Sequence, residues 1–240
     1  MKKKTFLSII LARGGSKGLK KKNIKKLNGK HLIYYTIQAS LLSQYIDRTI
    51  VSTDDQAIKK ISLNYGAEVP FLRPKKYSLD GSTSEDSISH CLKWLKINEN
   101  YNPDYVVYLQ CTEPFRSIYL IDNGIKKIIS QNLDSVFAVS NFHKNIWIQK
   151  NKKISRAFSF SNNYLPRQFK MPLFLENTGS FLVSKAGVFN EKKRIGNKIG
   201  IIFDKDYVPL VDIHNEYDLK LAQIIMKNLK LLGKDIKKNI

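Results

Sequence analysis

Cysteine is nearly absent: Cys91 and Cys111 are the only two in 240 residues. Two thiols build neither a disulfide framework nor a Cys-rich zinc site, and they read as free thiols of a reducing cytosol. Long apolar runs are missing as well. No stretch approaches the roughly 18 residues that a membrane-spanning helix needs. The apolar run after the opening lysines, Phe6 to Ala12, is too short and too soon interrupted by Arg13 to read as a secretory signal. Arginine is scarce, 7 residues against 34 lysines, although the formal net charge is +21. Nucleic-acid surfaces favour the planar fork of arginine. These lysines are scattered, with only Lys20-Lys21-Lys22 as a tight run. They read as solvated surface that also suits small anionic substrates, and a basic nucleic-acid-binding module is the distant alternative.

What is present is enough apolar content, 42%, for one substantial core. Thr5 to Ala12 is a continuous apolar run of the kind a strand buried on both faces shows. Arg48–Ser52, Ala67–Val69, Tyr105–Leu109, Ser135–Val139, Phe181–Ser184 and Ile199–Phe203 read as further strands. Between them, apolar residues recur with helical period. Ile33, Ile37 and Leu41 mark one helix, and Ile58, Ile61 and Tyr65 another. Ile88, Cys91, Leu92 and Leu95 mark a third, and Ile118, Ile121, Ile125 and Ile128 a fourth. Leu221, Ile224, Ile225, Leu229 and Leu232 mark a terminal helix. Alternating strands and helices predict a mostly parallel sheet covered on both faces. The alternation breaks after Ser140. The aromatic, basic stretch that follows reads as an inserted arm, either a partner surface or a local lid.

Ligands of such sheets bind beyond the carboxyl ends of the strands, so the segments that follow strands are the candidates. The first runs from Arg13 to Asn23. Gly14-Gly15 permits a tight turn, and Arg13, Lys17 and Lys22 are cations that a looped chain can converge on one polyphosphate. Each charge-assisted bond of that kind is worth roughly 1.5–3 kcal/mol. The spacing is neither that of a Walker A loop nor G-x-G-x-x-G, and a solvated lysine-rich connector is the plain alternative. The second segment is Gln110 to Arg116, where Pro114 fixes the turn and Gln110 and Arg116 can hydrogen-bond a ligand, unless Thr112 and Ser117 merely cap a helix. In the third, Val211 to Glu216, Asp212 can hold a divalent cation beside phosphates, or Asp212, Asn215 and Glu216 form a helix N-terminus. His31, His90 and His143 show no metal-ligand spacing.

In order and spacing, Arg13, Ser16, Lys17, Lys22 and Asn23 match the pattern A-R-x-x-S-K-x-x-x-x-K-N. The match continues through Ser52-Thr53-Asp54, Leu72-Arg73-Pro74, Gln110-x-Thr112-x-Pro114-x-Arg116, Arg167-Gln168, Gly179-Ser180-Phe181 and Asp212-Ile213. Over nearly its whole length the chain resembles the acylneuraminate cytidylyltransferases, the CMP-sialic acid synthetases. The resemblance implies one cytidylyltransferase domain over residues 1–240, a doubly wound, mostly parallel α/β sheet of the nucleotide-diphospho-sugar transferase kind. It also implies an inserted dimerisation arm at 141–175, a cytoplasmic homodimer and a place in surface polysaccharide synthesis. The implied reaction joins CTP and a nine-carbon 2-keto sugar acid to give the CMP-sugar and pyrophosphate, with Mg²⁺. Arg13, Lys17 and Lys22 would hold the triphosphate, and Ser16, Asn23 and Arg73 would seat the nucleotide. Gln110, Arg167, Gln168 and Thr178 would contact the sugar acid, with Asn177 a further candidate. Asp212 would bind the metal, with His214 as a second candidate ligand. Arg13, Lys22 and Asp212 would serve the chemical step. The chain departs from the family at His214, where a second Asp is usual, which leaves Mn²⁺ as an alternative cation. It departs also at Lys20, where proline is common, and at Glu176, near where some members place Arg. Legionaminate, pseudaminate and 3-deoxy-manno-octulosonate are the alternative sugars.

Overall fold

The computed structural model describes residues 3–157, 166, 168, 172–203 and 211–228. The run that opens the sequence is the strand β1 (Phe6–Leu11), nearly all of it buried. After the short ribbon of β2 (Lys26–Leu27) and β3 (Lys30–His31), helix α1 (Leu32–Leu41) leads to β4 (Arg48–Ser52). Helix α2 (Gln56–Asn64), capped by Asp55, and helix α3 (Ser84–Glu99), capped by Thr83, precede β5 (Tyr105–Gln110). Helix α4 (Ile118–Ser130) then leads to β6 (Ser135–Phe142). β1 lies between β4 and β5 with all three parallel, so Leu11, Ser52 and Gln110 stand side by side at the carboxyl edge.

The sheet is mixed as well as mostly parallel. Past β6 the chain forms an exposed hairpin, β7 (Trp147–Lys150) and β8 (Lys153–Arg156), which is a separate two-stranded sheet. It returns through β9 (Leu173–Glu176) and β10 (Leu182–Lys185), both antiparallel to β6. A parallel return needs a crossover of a dozen or more residues, usually helical, whereas this return runs by way of the arm. β9 and β10 pair with successive halves of β6, and residues 177–180 protrude between them, flanked by bonds from Asn177 N–H to Ala138 O and from Ala138 N–H to Phe181 O, each 2.9 Å. β10 also pairs with β5, and β11 (Ile199–Phe203) closes the far edge, parallel to β6. The expected strand at Ala67–Val69 shrinks to one bridge between Ile50 and Glu68, because Pro70 ends the pairing.

Helices cover both faces. Ile33, Ile37, Ile58, Ile121, Ile125 and Ile128 pack on one side of the sheet, and Ile88, Cys91, Leu92, Leu95 and Phe189 on the other. Phe189 lies in the short helix α5 (Ala186–Asn190). Leu41, read as the third core position of α1, is exposed. The last described helix, α6 (Glu216–Asn228), is turned relative to the face read from the sequence. Leu219, Ala222, Ile225 and Met226 are buried while Leu221 and Ile224 are exposed. Leu229 and Leu232 lie outside the described residues. α6 packs not on the sheet but on a third cluster containing Leu19, Leu27, Leu32, Tyr35 and Ile213, which props the opening loop against the Val211–His214 segment.

Candidate functional site

Beyond the carboxyl ends of β1 and β5 the surface opens into a cleft of about 440 Å³. Of the residues singled out in the sequence, Arg13, Ser16, Lys17, Lys22, Asn23, Arg73, Gln110 and His214 line it. Tyr108 and the polar run of Ser82, Thr83, Ser84 and Ser87, which the motifs did not single out, line it too. Three loops meet there. Asn23 Nδ2 donates to Arg13 O at 3.0 Å and closes the opening loop. Ile213 N–H donates to Thr112 O at 2.9 Å. A Cβ on Gly18 would stand 2.5 Å from the carbonyl oxygen of His214, so only glycine lets the opening loop come this close. The Gly14 N–H is not offered to a ligand: it donates to Asp54 Oδ1 at 2.9 Å.

Cations dominate the cleft. Burial lowers the Lys22 pKa from the ordinary lysine value; the carboxylate of Asp212 opposes that shift and the guanidinium of Arg13 adds to it. The Arg73 side chain is only 4% exposed, and burial lowers its pKa also. Its Nε donates to Ser78 Oγ at 2.9 Å, and the residue lines the cleft. A buried charge is costly without hydrogen-bonded partners, so this is a place built for an acceptor-rich ligand. Asp80 also lines the cleft, with its carboxylate 3.1 Å from Arg13 Nη1 and 2.7 Å from Lys17 Nζ.

Asp212 is not among the residues lining the cleft, 45% of its side chain is exposed, and Nε2 of the lining residue His214 donates to its Oδ2 at 2.7 Å. The helix N-terminus that follows is served by other groups. Asn215 Oδ1 accepts from the N–H groups of Tyr217 and Asp218, and Asp218 Oδ2 from those of His214 and Asn215. Asp212 is thus free of the capping role. Its carboxylate and one imidazole are too few donors for an all-protein metal cage, and no cluster of three metal-ligating groups occurs among the described residues. They do fit a divalent cation that keeps its waters and shares phosphate oxygens of a ligand.

Two assignments change. Arg116 does not reach for a ligand. It is 2% exposed, and its guanidinium donates to Gln110 O at 2.7 Å, Gly179 O at 2.9 Å, Thr36 Oγ1 at 3.1 Å and Ser180 O. It ties the protrusion at 177–180 to the end of β5. Thr178 is buried within that protrusion and does not line the cleft. Gln168 is exposed, with no contact to the cleft, and Arg167 lies outside the described residues. The sequence reading passed over Glu113, a carboxylate only 8% exposed. A Cβ on Gly179 would lie 2.3 Å from its Oε1 and 3.2 Å from the Gln110 amide carbon. Gly179 therefore lets the 177–180 backbone pack directly against Gln110 and the buried acid. Cys111 is buried and its thiol is pushed up to about 12, so it holds its proton at neutral pH and is no nucleophile.

Residues 7–235 match the family profile described as Cytidylyltransferase, as the motifs led one to expect. The chain is 29% identical over 231 residues to the pseudaminic acid cytidylyltransferase of Campylobacter jejuni, covering 92% of this chain and 96% of that protein. It is 29% identical over 241 residues to the N-acylneuraminate cytidylyltransferase of Escherichia coli, covering 98% of this chain and 55% of that protein. Among solved structures, a CMP:2-keto-3-deoxy-manno-octonic acid synthetase complexed with CTP superposes with a TM-score of 0.68 over 94% of this chain and 99% of that one, at 12% identity. That likeness carries the fold.

Proposed function

The chain belongs to the cytidylyltransferase family, and from that premise we propose that it transfers the cytidylyl group of CTP to the anomeric hydroxyl of a nine-carbon, sialic-type 2-keto acid, N-acylneuraminate in the first place, releasing pyrophosphate in the cytoplasm. One observation supports this above the others. Arg13, Lys17 and Lys22 converge on the cleft that Arg73 also lines. The three cations take the phosphates, and the buried Arg73 donates to the acceptor edge of cytosine. The Asn23–Arg13 bond holds the loop in shape, and Ser16 adds a hydroxyl. Gln110, beside the buried Glu113, faces the sugar acid. Gln168, with Arg167 of the same segment, approaches it from the arm of a second copy in a homodimer.

Chemically, the hydroxyl oxygen attacks the α-phosphorus, the bond to the β-phosphate bridging oxygen breaks, and the electron pair leaves with pyrophosphate. The protein aligns nucleophile and leaving group and neutralises developing charge. Lys22 and Arg13 do so at the phosphates. Asp212, one oxygen engaged by His214, keeps its other oxygen for a cation, and the hydroxyl proton passes to water. Mg²⁺ or Mn²⁺ entering with CTP would be held by Asp212, with His214 beside it, and would supply positive charge to the phosphate oxygens.

Pseudaminate is the second reading, favoured by similarity to the Campylobacter enzyme over nearly the whole of both chains. A pyrophosphate-release assay with CTP and a panel of N-acetylneuraminate, pseudaminate, legionaminate and 3-deoxy-manno-octulosonate tests both. The highest kcat/KM is expected for N-acetylneuraminate. Release with none of the four contradicts the proposal.

The burial of Lys22 also sets a pH dependence. In the free protein its pKa lies below the usual lysine value, while nearby phosphates favour the charged form. In the window between the two values, binding takes up a proton, and below the window it does not. Affinity for metal-free CTP therefore falls as pH rises through the lowered value. Calorimetry across the alkaline range in two buffers of different ionisation enthalpy should show more proton uptake by wild type than by Lys22→Arg, whose guanidinium stays charged.

A further inference from the structure

Asp80 has no role in the chemistry above, yet it occupies the phosphate cradle. It sits on a tight turn in which Ser82 N–H donates to Leu79 O at 3.0 Å, and Ser82 Oγ anchors the turn to Lys76 O at 2.8 Å. From there its two oxygens divide between two cations, Oδ1 on Arg13 Nη1 and Oδ2 on Lys17 Nζ, as two oxygens of one phosphate would. It is the one acidic side chain among the described residues that line the cleft. The hydrogen bond from Lys17 holds its carboxyl below the usual carboxylate range, so it is a full counter-charge at neutral pH. With 55% of its side chain exposed, it can swing out toward solvent.

We infer that Asp80 is an internal stand-in for the nucleotide's outer phosphates, positioning Arg13 and Lys17 before the nucleotide binds and returning to them after the transfer to expel pyrophosphate. This rests on the proposed cytidylyltransferase reading. A ligand whose phosphates seek the same Arg13 and Lys17 donors competes with a carboxylate, so CTP and pyrophosphate both bind less tightly than the bare cradle would allow. A ligand without outer phosphates, such as CMP, leaves the two ion pairs intact. The price of slightly weaker substrate binding is thus set against faster clearance of a product that carries the same charges.

The test is calorimetric titration of wild type, Asp80→Asn and Asp80→Glu with inorganic pyrophosphate and with CMP, without metal, at low and moderate salt. Asp80→Asn should bind pyrophosphate about 3- to 10-fold more tightly, the scale of two exposed ion pairs, and CMP within about twofold of wild type. Asp80→Glu should return close to wild type. The gain should shrink with added salt, because exposed charges are screened beyond a Debye length of about 8 Å at physiological ionic strength. In turnover, Asp80→Asn should show stronger product inhibition by pyrophosphate. Unchanged or weaker pyrophosphate binding by Asp80→Asn, with wild type binding it normally, overturns the inference and leaves the cytidylyltransferase reading standing. An equal gain for CMP overturns it too. Failure of wild type to bind either CTP or pyrophosphate removes both.

Discussion

Replacing Lys22 by alanine should lower kcat/KM for CTP by about 10²- to 10³-fold, the usual cost of removing one group aimed at developing charge. Lys22 follows the turn through Lys21, whose φ is 54°, and the charges of both Asp212 and Arg13 act on it. The same residue should behave oppositely in a stability assay. Its lowered pKa reflects a burial that disfavours its charge. Lys22→Met, which keeps the apolar stem and drops the ammonium, should therefore unfold at the same or a higher temperature while turnover collapses. Such a split separates a group held for chemistry from one held for folding. Full activity in Lys22→Ala, measured by pyrophosphate release, removes it from the phosphate site.

Arg116 should give the reverse pattern. Arg116→Ala deprives the carbonyls of Gln110, Gly179 and Ser180 and the hydroxyl of Thr36 of a donor, in a place where water does not replace it. An unsatisfied buried polar group costs roughly 1–3 kcal/mol, and dismantling a buried charged network roughly 3–5 kcal/mol. A loss of about 4 kcal/mol, or roughly 10 °C in thermal midpoint for a chain of this size, is expected. Arg116→Lys should recover only part of it, since one ammonium cannot span the same acceptors. Wild-type stability in Arg116→Ala, read from denaturant melts, contradicts its role as the tie between the protrusion and β5.

Much of this architecture can be read from apolar spacing alone, because strands buried on both faces and helices with one apolar stripe leave distinct patterns. β1, β5 and the buried face of α3 are of this kind. Strand direction leaves no such mark: the apolar run at Phe181–Ser184 looks the same whether β10 runs with its neighbours or against them. α6 misleads for another reason. Leu221 and Ile224 satisfy helical spacing as well as Leu219 and Met226 do, and only the loop cluster beneath decides which face is covered.

At the site, position after a strand picked out the right loops but not the duty of each side chain. Arg116 and Arg73 are both arginines beside a turn. One is spent on main chain and the other opens to the cleft, and that difference lies in tertiary contacts. Asp80 and Glu113 carried weak signals, an acid in the turn after Lys75-Lys76 and an acid within the Gln110–Arg116 segment. Either becomes meaningful only when the fold shows what stands opposite.

The most direct measurement is a crystal structure of the protein soaked with CTP. Density should place the triphosphate against Arg13, Lys17 and Lys22, the base against Arg73, and Asp80 turned away. CTP bound elsewhere, with Asp80 still paired to Arg13 and Lys17, would contradict the account at its root.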